Sequence, residues 1–302
     1  MSSALAVSAQ RPVRLAFGDV GDERVLAAVT ELAAGGLVQP VLIQASEAAM
    51  SLPDGVLTAR PSPDNQDDLL TFLAHYVAQG RAAAGIAGSL SASAAVIRAG
   101  LHGLGTEGLV AGTFLMQRAG RRTTFADCSV VPEPDADELT QIAAAAADHH
   151  RLITGEQPRV ALLSFSTHGS ARHATVDRVR IATELLAHRR PDLLVEGELQ
   201  LDVALDVSVA RRKLPSSRVA GNANVLVFPS LDAGNIAYKL AERWGSARAL
   251  GSFVLNLRHP WVDLSRGCSS EDIVDTALLL RHEVLARAAR AGSGCPLGSA
   301  VG

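Results

Sequence analysis

The stretch Asp263-Leu264-Ser265-Arg266-Gly267-Cys268-Ser269-Ser270-Glu271-Asp272-Ile273 places a hydroxyl (Ser265), a guanidinium (Arg266) and a carboxylate (Asp272) within eight residues. A hydroxyl can donate to a carbonyl that is turning into an oxyanion, a guanidinium can clamp a phosphate, and a carboxylate can accept a proton. Together these are the tasks of acyl transfer between a phosphate and a thiol. The same residues also read as a helix start. Ser269 and Asp272 fit the S-x-x-D/E capping box, ahead of an amphipathic helix from Ile273 to about Arg290. On residue types alone the capping reading is the stronger.

A second cluster lies at Ser164-Phe165-Ser166-Thr167-His168-Gly169-Ser170-Ala171, after an apolar run and before a helical pattern. Backbone amides there, with the hydroxyls of Ser166, Thr167 and Ser170, can converge on an anion at a helix N-terminus. The alternative is an ordinary strand-to-helix turn. Gly103-Leu104-Gly105-Thr106-Glu107-Gly108 is a literal G-x-G-x-x-G, but a helix precedes it and a strand follows. That is the reverse of a dinucleotide site, so it reads as a helix-to-strand connection. Asp148-His149-His150 are consecutive residues of a helix and point in different directions, which argues against a metal.

Four segments, in order, resemble the phosphate acyltransferase (phosphotransacetylase and phosphate butyryltransferase) family. The stretch from Asp263 is similar to its D-L-S-R-G-x-S-x-x-D-I signature, and Ser164 to Ala171 to its S-x-S-T-x-G-S-A loop. Glu196-Gly197-Glu198-Leu199-Gln200-Leu201-Asp202 resembles D-G-E-L-Q-x-D, with Glu196 for Asp. Val219-Ala220-Gly221-Asn222-Ala223-Asn224-Val225, followed by Gly234-Asn235-Ile236-Ala237-Tyr238-Lys239, resembles P-V-A-G-x-A-N-V and G-N-x-x-Y-K, with Arg218 for Pro. The match is dense from about Phe125 to Ala288 and thin before it.

The resemblance implies reversible transfer of an acetyl or other short acyl group between coenzyme A and inorganic phosphate, through thiolate attack on an acyl phosphate. It implies Ser265, Arg266 and Asp272 as catalytic residues. Ser164, Ser166, Thr167, Gly169, Ser170, Asn235 and Arg98 would bind substrate, Arg98 by its position near the coenzyme A phosphates. No cofactor or metal is bound; coenzyme A is a co-substrate. The partners implied are acyl-CoA, phosphate and acyl phosphate, in a homodimer. An acyl-CoA- or acyl-phosphate-binding module without catalysis is the alternative. Hydride transfer on the same broad fold lacks metal carboxylates.

The chain also departs from the family. Between Ser51 and Gly80 its one basic side chain besides His75 is Arg60, where relatives have a basic stretch. Ala84-Gly85-Ile86-Ala87-Gly88 stands for D-G-V-x-S-G, and Gly251-Ser252-Phe253-Val254-Leu255-Asn256 for G-P-x-x-Q-G.

The elements that must position these residues alternate. Strands are expected at Val13–Phe17, Val38–Ile43, Ala83–Ala87, Arg159–Phe165, Asp192–Val195 and Asn224–Phe228. Helices are expected at Glu23–Ala34, Asp67–Gln79, Ser93–Gly100, 136–153, 174–188, 201–212 and 235–243. Leu109–Gln117 and Thr123–Phe125 read either as an antiparallel hairpin or as an edge pair around Ala119-Gly120. Such alternation predicts an α/β fold with a largely parallel sheet. The resemblance refines this to two α/β domains around a cleft in an isocitrate/isopropylmalate dehydrogenase-like fold. Its first domain is residues 1–108 plus 258–302, and its second is 109–257.

Of 302 residues 48% are hydrophobic, enough for a sizeable core, and a net charge of −3 gives no basic field for nucleic acid or anionic lipid. Cys128, Cys268 and Cys295 have no metal-like or disulfide-like spacing, Met1–Gln10 lacks a signal-peptide pattern, and Pro61–Gln66 and Gly292–Gly302 are turn-rich. A cytoplasmic protein with neither membrane nor nucleic-acid partner is the expectation.

Overall fold

The structure, a computed structural model, describes residues 12–45, 52–62 and 67–292. The expectations for Met1–Gln10, Cys295, most of Pro61–Gln66 and all but the first residue of the tail lie outside the described residues.

One sheet of eleven strands runs through the molecule in the order β3-β2-β1-β4-β11-β10-β5-β6-β9-β7-β8. Its first part comprises β1 (Val13–Phe17), β2 (Val38–Ile43), β3 (Leu57–Ala59), β4 (Ala84–Ala87) and β11 (Trp261–Asp263), all parallel. Its second part comprises β6 (Arg121–Ala126), β7 (Arg159–Leu163), β8 (Leu194–Leu199) and β9 (Val225–Val227), again parallel. The long antiparallel pair β5 (Thr106–Arg118) and β10 (Arg248–Leu257) joins the two. This insertion reverses the strand sense, so the C-terminal ends of β1, β4 and β11 open on one edge and those of β6 to β9 on the other.

Helices cover both faces, and residue parity decides which. Leu15 and Phe17 of β1 pack with α1 (Glu23–Ala34) and α9 (Ser270–Gly292). Ala16 between them packs with α2 (Leu69–Ala78) and α3 (Ser93–Leu104). In the second part, Val160 and Leu162 of β7 face α4 (Ala136–Thr154) and α5 (Ala174–Arg189). Ala161 and Leu163 face α6 (Leu201–Leu205), α7 (Val207–Lys213) and α8 (Leu231–Arg243).

Caps account for several boundaries. Asp22, Asp68 and Ser230 cap α1, α2 and α8, and Asp135 with Glu138 closes a capping box on α4. The β5–β6 turn is at Ala119-Gly120, both with positive φ, as a tight hairpin requires. The G-x-G-x-x-G run spans the end of α3, Gly105 at φ +71° and the start of β5, a helix-to-strand connection as read from the sequence.

The corrections are specific. The helix expected over 201–212 is two, because Asp206 turns outward and caps α7 by accepting from the Ser208 and Val209 amides. The strand expected at Asp192–Val195 is β8, shifted to Leu194–Leu199. β3, β10 and β11 have no counterpart in the sequence reading. β10 is buried almost throughout, so it shows no alternation, and its Gly251-Ser252 interrupts the apolar run at a register shift.

β11 is placed by Trp261. The indole is 1% exposed, donates from Nε1 to Val96 O at 3.1 Å, and lies against Gly85 of β4 and Gly100 of α3. A Cβ at Gly85 would run into the indole ring. Gly85→Ala is therefore expected to cost about 1–3 kcal/mol of stability and to lower the thermal midpoint. An unchanged melting curve would contradict this packing.

Candidate active site

Ser265 and Arg266 occupy the turn between β11 and α9, at the edge where β1, β4 and β11 end, and Asp272 lies in the first turn of α9. The Leu264 amide donates to Ala87 O at 2.7 Å, and the Cys268 amide to Ser265 O at 3.0 Å. The strongest anchor comes from α1. Arg24 donates from Nη1 to the carbonyls of Arg266 (2.9 Å) and Cys268 (2.7 Å), and from Nη2 to Ser89 O (3.1 Å) and Asp22 Oδ2 (2.7 Å). Its Nε donates to Asp22 Oδ1 (3.0 Å). Those bonds use all five donors that a guanidinium carries.

With the backbone so held, two groups are left over. Ser265 Oγ accepts from the Gly267 amide at 3.3 Å, and its own proton has no acceptor among the described residues. The Arg266 guanidinium is exposed and makes no hydrogen bond or ion pair among them. Arg243, at the end of α8, overhangs Gly267 so closely that a Cβ there would meet its guanidinium. Asp263 is 3% exposed, with no hydrogen bond to Oδ1. Burial pushes its carboxyl up to about 6 against a hydrogen bond from Ser93, with Asp19 adding repulsion.

Asp272 serves the helix start. Its Oδ2 accepts from the Ser269 amide (3.0 Å) and hydroxyl (2.8 Å), while its own amide donates to Ser269 Oγ (3.1 Å). Its Oδ1 accepts two bonds from Arg248, from Nε at 2.9 Å and Nη2 at 2.7 Å. Burial would raise its pKa, but the bonds from Ser269 and Arg248 outweigh burial and hold it below the usual value.

In the Ser164–Ser170 loop, two of the donors meet a carboxylate of the chain itself. Glu198 Oε1 accepts from Ser166 Oγ (2.9 Å) and the Gly169 amide (2.7 Å), and the His168 amide reaches Glu198 O. Burial raises the Glu198 pKa, yet these donors bring it below the ordinary value. Thr167 bonds Gln200 and Ser170 bonds the Thr167 amide, while Ser164 accepts from the Ser166 amide. Asn235 donates from Nδ2 to Cys128 O at 3.0 Å, tying α8 to the end of β6. Arg98 is exposed on α3.

The predicted residues thus form two groups. Ala233 lines a hollow of about 280 Å³ with Ser164 and Phe165, and Arg243, ten residues along α8, overhangs Gly267. A larger hollow of about 410 Å³ lies elsewhere, between α4, α9 and β10. There His149 bonds Thr113 and Glu283, whereas His150 bonds Thr124 and Asp148 pairs with Arg190. The three neighbours point three ways.

Sequence reasoning missed Arg24, Asp22, Arg248 and the inward role of Glu198. Asp22 and Arg24 read as an unremarkable helix start, and nothing local ties them to a turn 242 residues away. The Arg24 bonds, above all, hold Asp22 at about 2 despite its burial. Because this pKa is depressed below the ordinary ~3.9, the linked stability is present above pH ~4 and is lost as pH falls toward ~2, about 2 kcal/mol in all. Denaturant unfolding between pH 5 and 2.5 should show this loss in the wild type and a flatter profile in Arg24→Gln. Parallel profiles would refute the linkage.

The sequence model of the family described as "Phosphate acetyl/butaryl transferase" matches residues 54–280. A phosphate acetyltransferase of Clostridium acetobutylicum is 54% identical over 51% of this chain, which there spans 46% of the relative's length. One of Bacillus subtilis is 34% identical over 92% of the chain and 96% of its own length. A crystal structure of a phosphotransacetylase from Streptococcus pyogenes superposes with a TM-score of 0.82 at 33% identity, covering 91% of this chain and 94% of that one. The fold alone is shared with a 4-hydroxythreonine-4-phosphate dehydrogenase from Klebsiella pneumoniae (TM-score 0.55, 14% identity, 91% of this chain and 100% of that one). The chain belongs to the phosphate acetyl/butaryl transferase family.

Proposed function

We propose that the protein catalyses reversible transfer of an acetyl or other short acyl group between coenzyme A and inorganic phosphate. One observation carries this reading: the signature turn is tied down through its backbone, while the Ser265 proton and the Arg266 guanidinium have no hydrogen-bond partner among the described residues. Donors fixed in place yet unspent suit charge that develops only during reaction. In the direction of thioester synthesis, Asp272 takes the thiol proton as sulfur attacks the acyl-phosphate carbonyl. Ser265 donates to the developing oxyanion, Arg266 holds the phosphate, and collapse of the tetrahedral intermediate breaks the acyl–oxygen bond and releases phosphate. Full transfer from a thiol of pKa ~8.5 to a carboxylate of ~3.9 is uphill by about 6 kcal/mol, and the depressed pKa of Asp272 widens the gap. Proton transfer is therefore concerted with attack. This reading takes the Ser164–Ser170 loop, Asn235 and exposed Arg98 as substrate-binding, with Arg98 serving the coenzyme A phosphates.

The same reading takes residues 1–108 with 258–302 and residues 109–257 as two α/β domains about a cleft, as in isocitrate dehydrogenase. It also takes the protein as cytoplasmic, acting on small molecules rather than nucleic acid or membrane. The opposite strand sense of the two parallel runs supports the first point, and the net charge of −3 supports the second. A homodimer is supported by α8, where Ile236, Leu240 and Trp244 are 64%, 54% and 88% exposed and recur every fourth residue along one helix face.

Wild-type protein with coenzyme A and a panel of acyl phosphates should generate thioester absorbance. Asp272→Asn should lower turnover about 10²–10⁴-fold, and Ser265→Ala about 10²-fold. The Asn variant keeps an acceptor for the Ser269 amide, so it should lose only about 1 kcal/mol of stability. A large fall in melting temperature with near-normal turnover would make Asp272 a cap alone. Light scattering should give a particle near twice 31.5 kDa, and Trp244→Asp should shift it toward the monomer. A monomeric wild type would defeat the dimer reading.

A further inference from the structure

Asp272 is flanked by a guanidinium that belongs to none of the matched motifs. Arg248, the first residue of β10, donates from Nε and Nη2 to Asp272 Oδ1 and from Nη1 to Asp275 Oδ2 at 2.6 Å. One fork thus bridges two carboxylates a turn apart on α9. The other oxygen of Asp272 is already spent on Ser269, so Arg248 occupies the one oxygen on which Asp272 could receive a proton.

The surrounding charges leave Arg248 in control of that oxygen. Arg24 is committed to Asp22 and to main-chain carbonyls, and Arg243 pairs loosely with Glu242 at 3.7 Å. The Cys268 thiol, pushed by burial up to about 11, stays neutral. The Asp272 side chain is 18% exposed, against 41% for Arg248 and 43% for Asp275. The outer pair is therefore free to rearrange, while Asp272 is held by its cap.

We propose that Arg248 is a positioning residue that sets the proton-accepting capacity of Asp272, holding Oδ1 while it bridges to Asp275 and exposing Oδ1 when it swings wholly onto Asp275. The inference rests on the acyl-transfer reading for its consequence, but the pairing itself can be tested without turnover. A guanidinium bonded to Oδ1 stabilises the ionised carboxylate and weakens it as a base. Asp275 competes for that guanidinium and repels the charge on Asp272, so it acts in the opposite direction. The sign follows directly: the base is lost as pH falls through its pKa, so removing Arg248 must move the acidic limb of activity upward.

The test is a pair of titrations on Arg248→Gln, Arg248→Lys and Asp275→Asn. The first follows kcat/KM with acetyl phosphate and coenzyme A from pH 3 to 7, a window that contains the acidic limb of a carboxylate held below its ordinary value. The second follows the Asp272 carboxyl carbon by NMR in the substrate-free protein, assigned with Asp272→Asn. Arg248→Gln should raise the acidic limb and the carboxyl titration together by about one pH unit. Arg248→Lys should return both toward wild type, and Asp275→Asn should move both downward. A merely structural role for Arg248 would change stability without these opposed shifts. An unmoved carboxyl titration in Arg248→Gln would overturn the proposal whether or not the enzyme turns over. A moved carboxyl titration in a wild type that makes no thioester would uphold the pairing and sink the acyl-transfer reading.

Discussion

The Arg24 fork is the interaction on which the signature turn depends. It joins the start of α1, the loop after β4 and the turn after β11, none of which is adjacent in sequence. A guanidinium can do this because its donors are planar, permanently charged and too many for one partner. Lysine at the same place would supply a point charge but not the divergent geometry. Asp22 offsets the charge at 7% exposure, so the fork sits in a partly buried position without an uncompensated ion. The turn therefore arrives at the sheet edge with the Ser265, Arg266 and Cys268 carbonyls occupied, and the Ser265 proton and the Arg266 guanidinium make no hydrogen bond among the described residues.

The other matched segments behave differently. Glu196 accepts from Ser217, which in turn accepts from the Val219 and Ala220 amides. Asn224 accepts from the Arg159 amide and donates to Gln157 O, and Asn235 reaches Cys128 O. Tyr238 stacks on Phe114 with centroids 4.1 Å apart. Gly234 admits the Asp127 carbonyl where a Cβ would collide. Polar residues in these motifs close loops around buried strands, and each unmade bond would leave a desolvated group costing about 1–3 kcal/mol. A family pattern therefore mixes residues that hold the architecture with residues that meet substrate. Only the hydrogen-bond inventory separates them.

Periodicity found most helices, because each buries one face and shows its repeat, and short apolar runs between them marked most of the parallel strands. It failed where burial is two-sided: β10 has no polar face to mark it, and β11 is three residues long. It failed again at Asp206, whose capping role breaks a pattern that stays apolar on one side. Ser265, Arg266 and Asp272 were found because they lie on one short stretch of chain. Arg24 and Arg248 were not, because their meaning lies in tertiary contacts, Arg24 on one side of the turn and Arg248 on the other. In the Ser164–Ser170 loop the Ser166 hydroxyl and the Gly169 amide meet Glu198, which lies 29 residues from Gly169 on another strand and so was not legible locally.

Asp272 poses the last physical question, since its cap and its ion pair both favour the ionised form. A strongly basic carboxylate here would have to be protonated for part of the working pH range, and a protonated Asp272 would give up an acceptor of the capping box. Holding the carboxylate ionised keeps α9 capped and keeps an acceptor next to the proposed thiol position at every pH near neutrality. The cost is weak basicity, which matters less if the proton moves only as the carbon–sulfur bond forms, because the thiol then becomes steadily more acidic along the path. In the proposed reaction the cations around the turn, Arg266, Arg243 and Arg248, would act on the same step by stabilising negative charge on sulfur and on the leaving phosphate. In such a site the carboxylate receives a proton that the field of the arginines has already loosened, and its low basicity lets it release that proton before the next turnover.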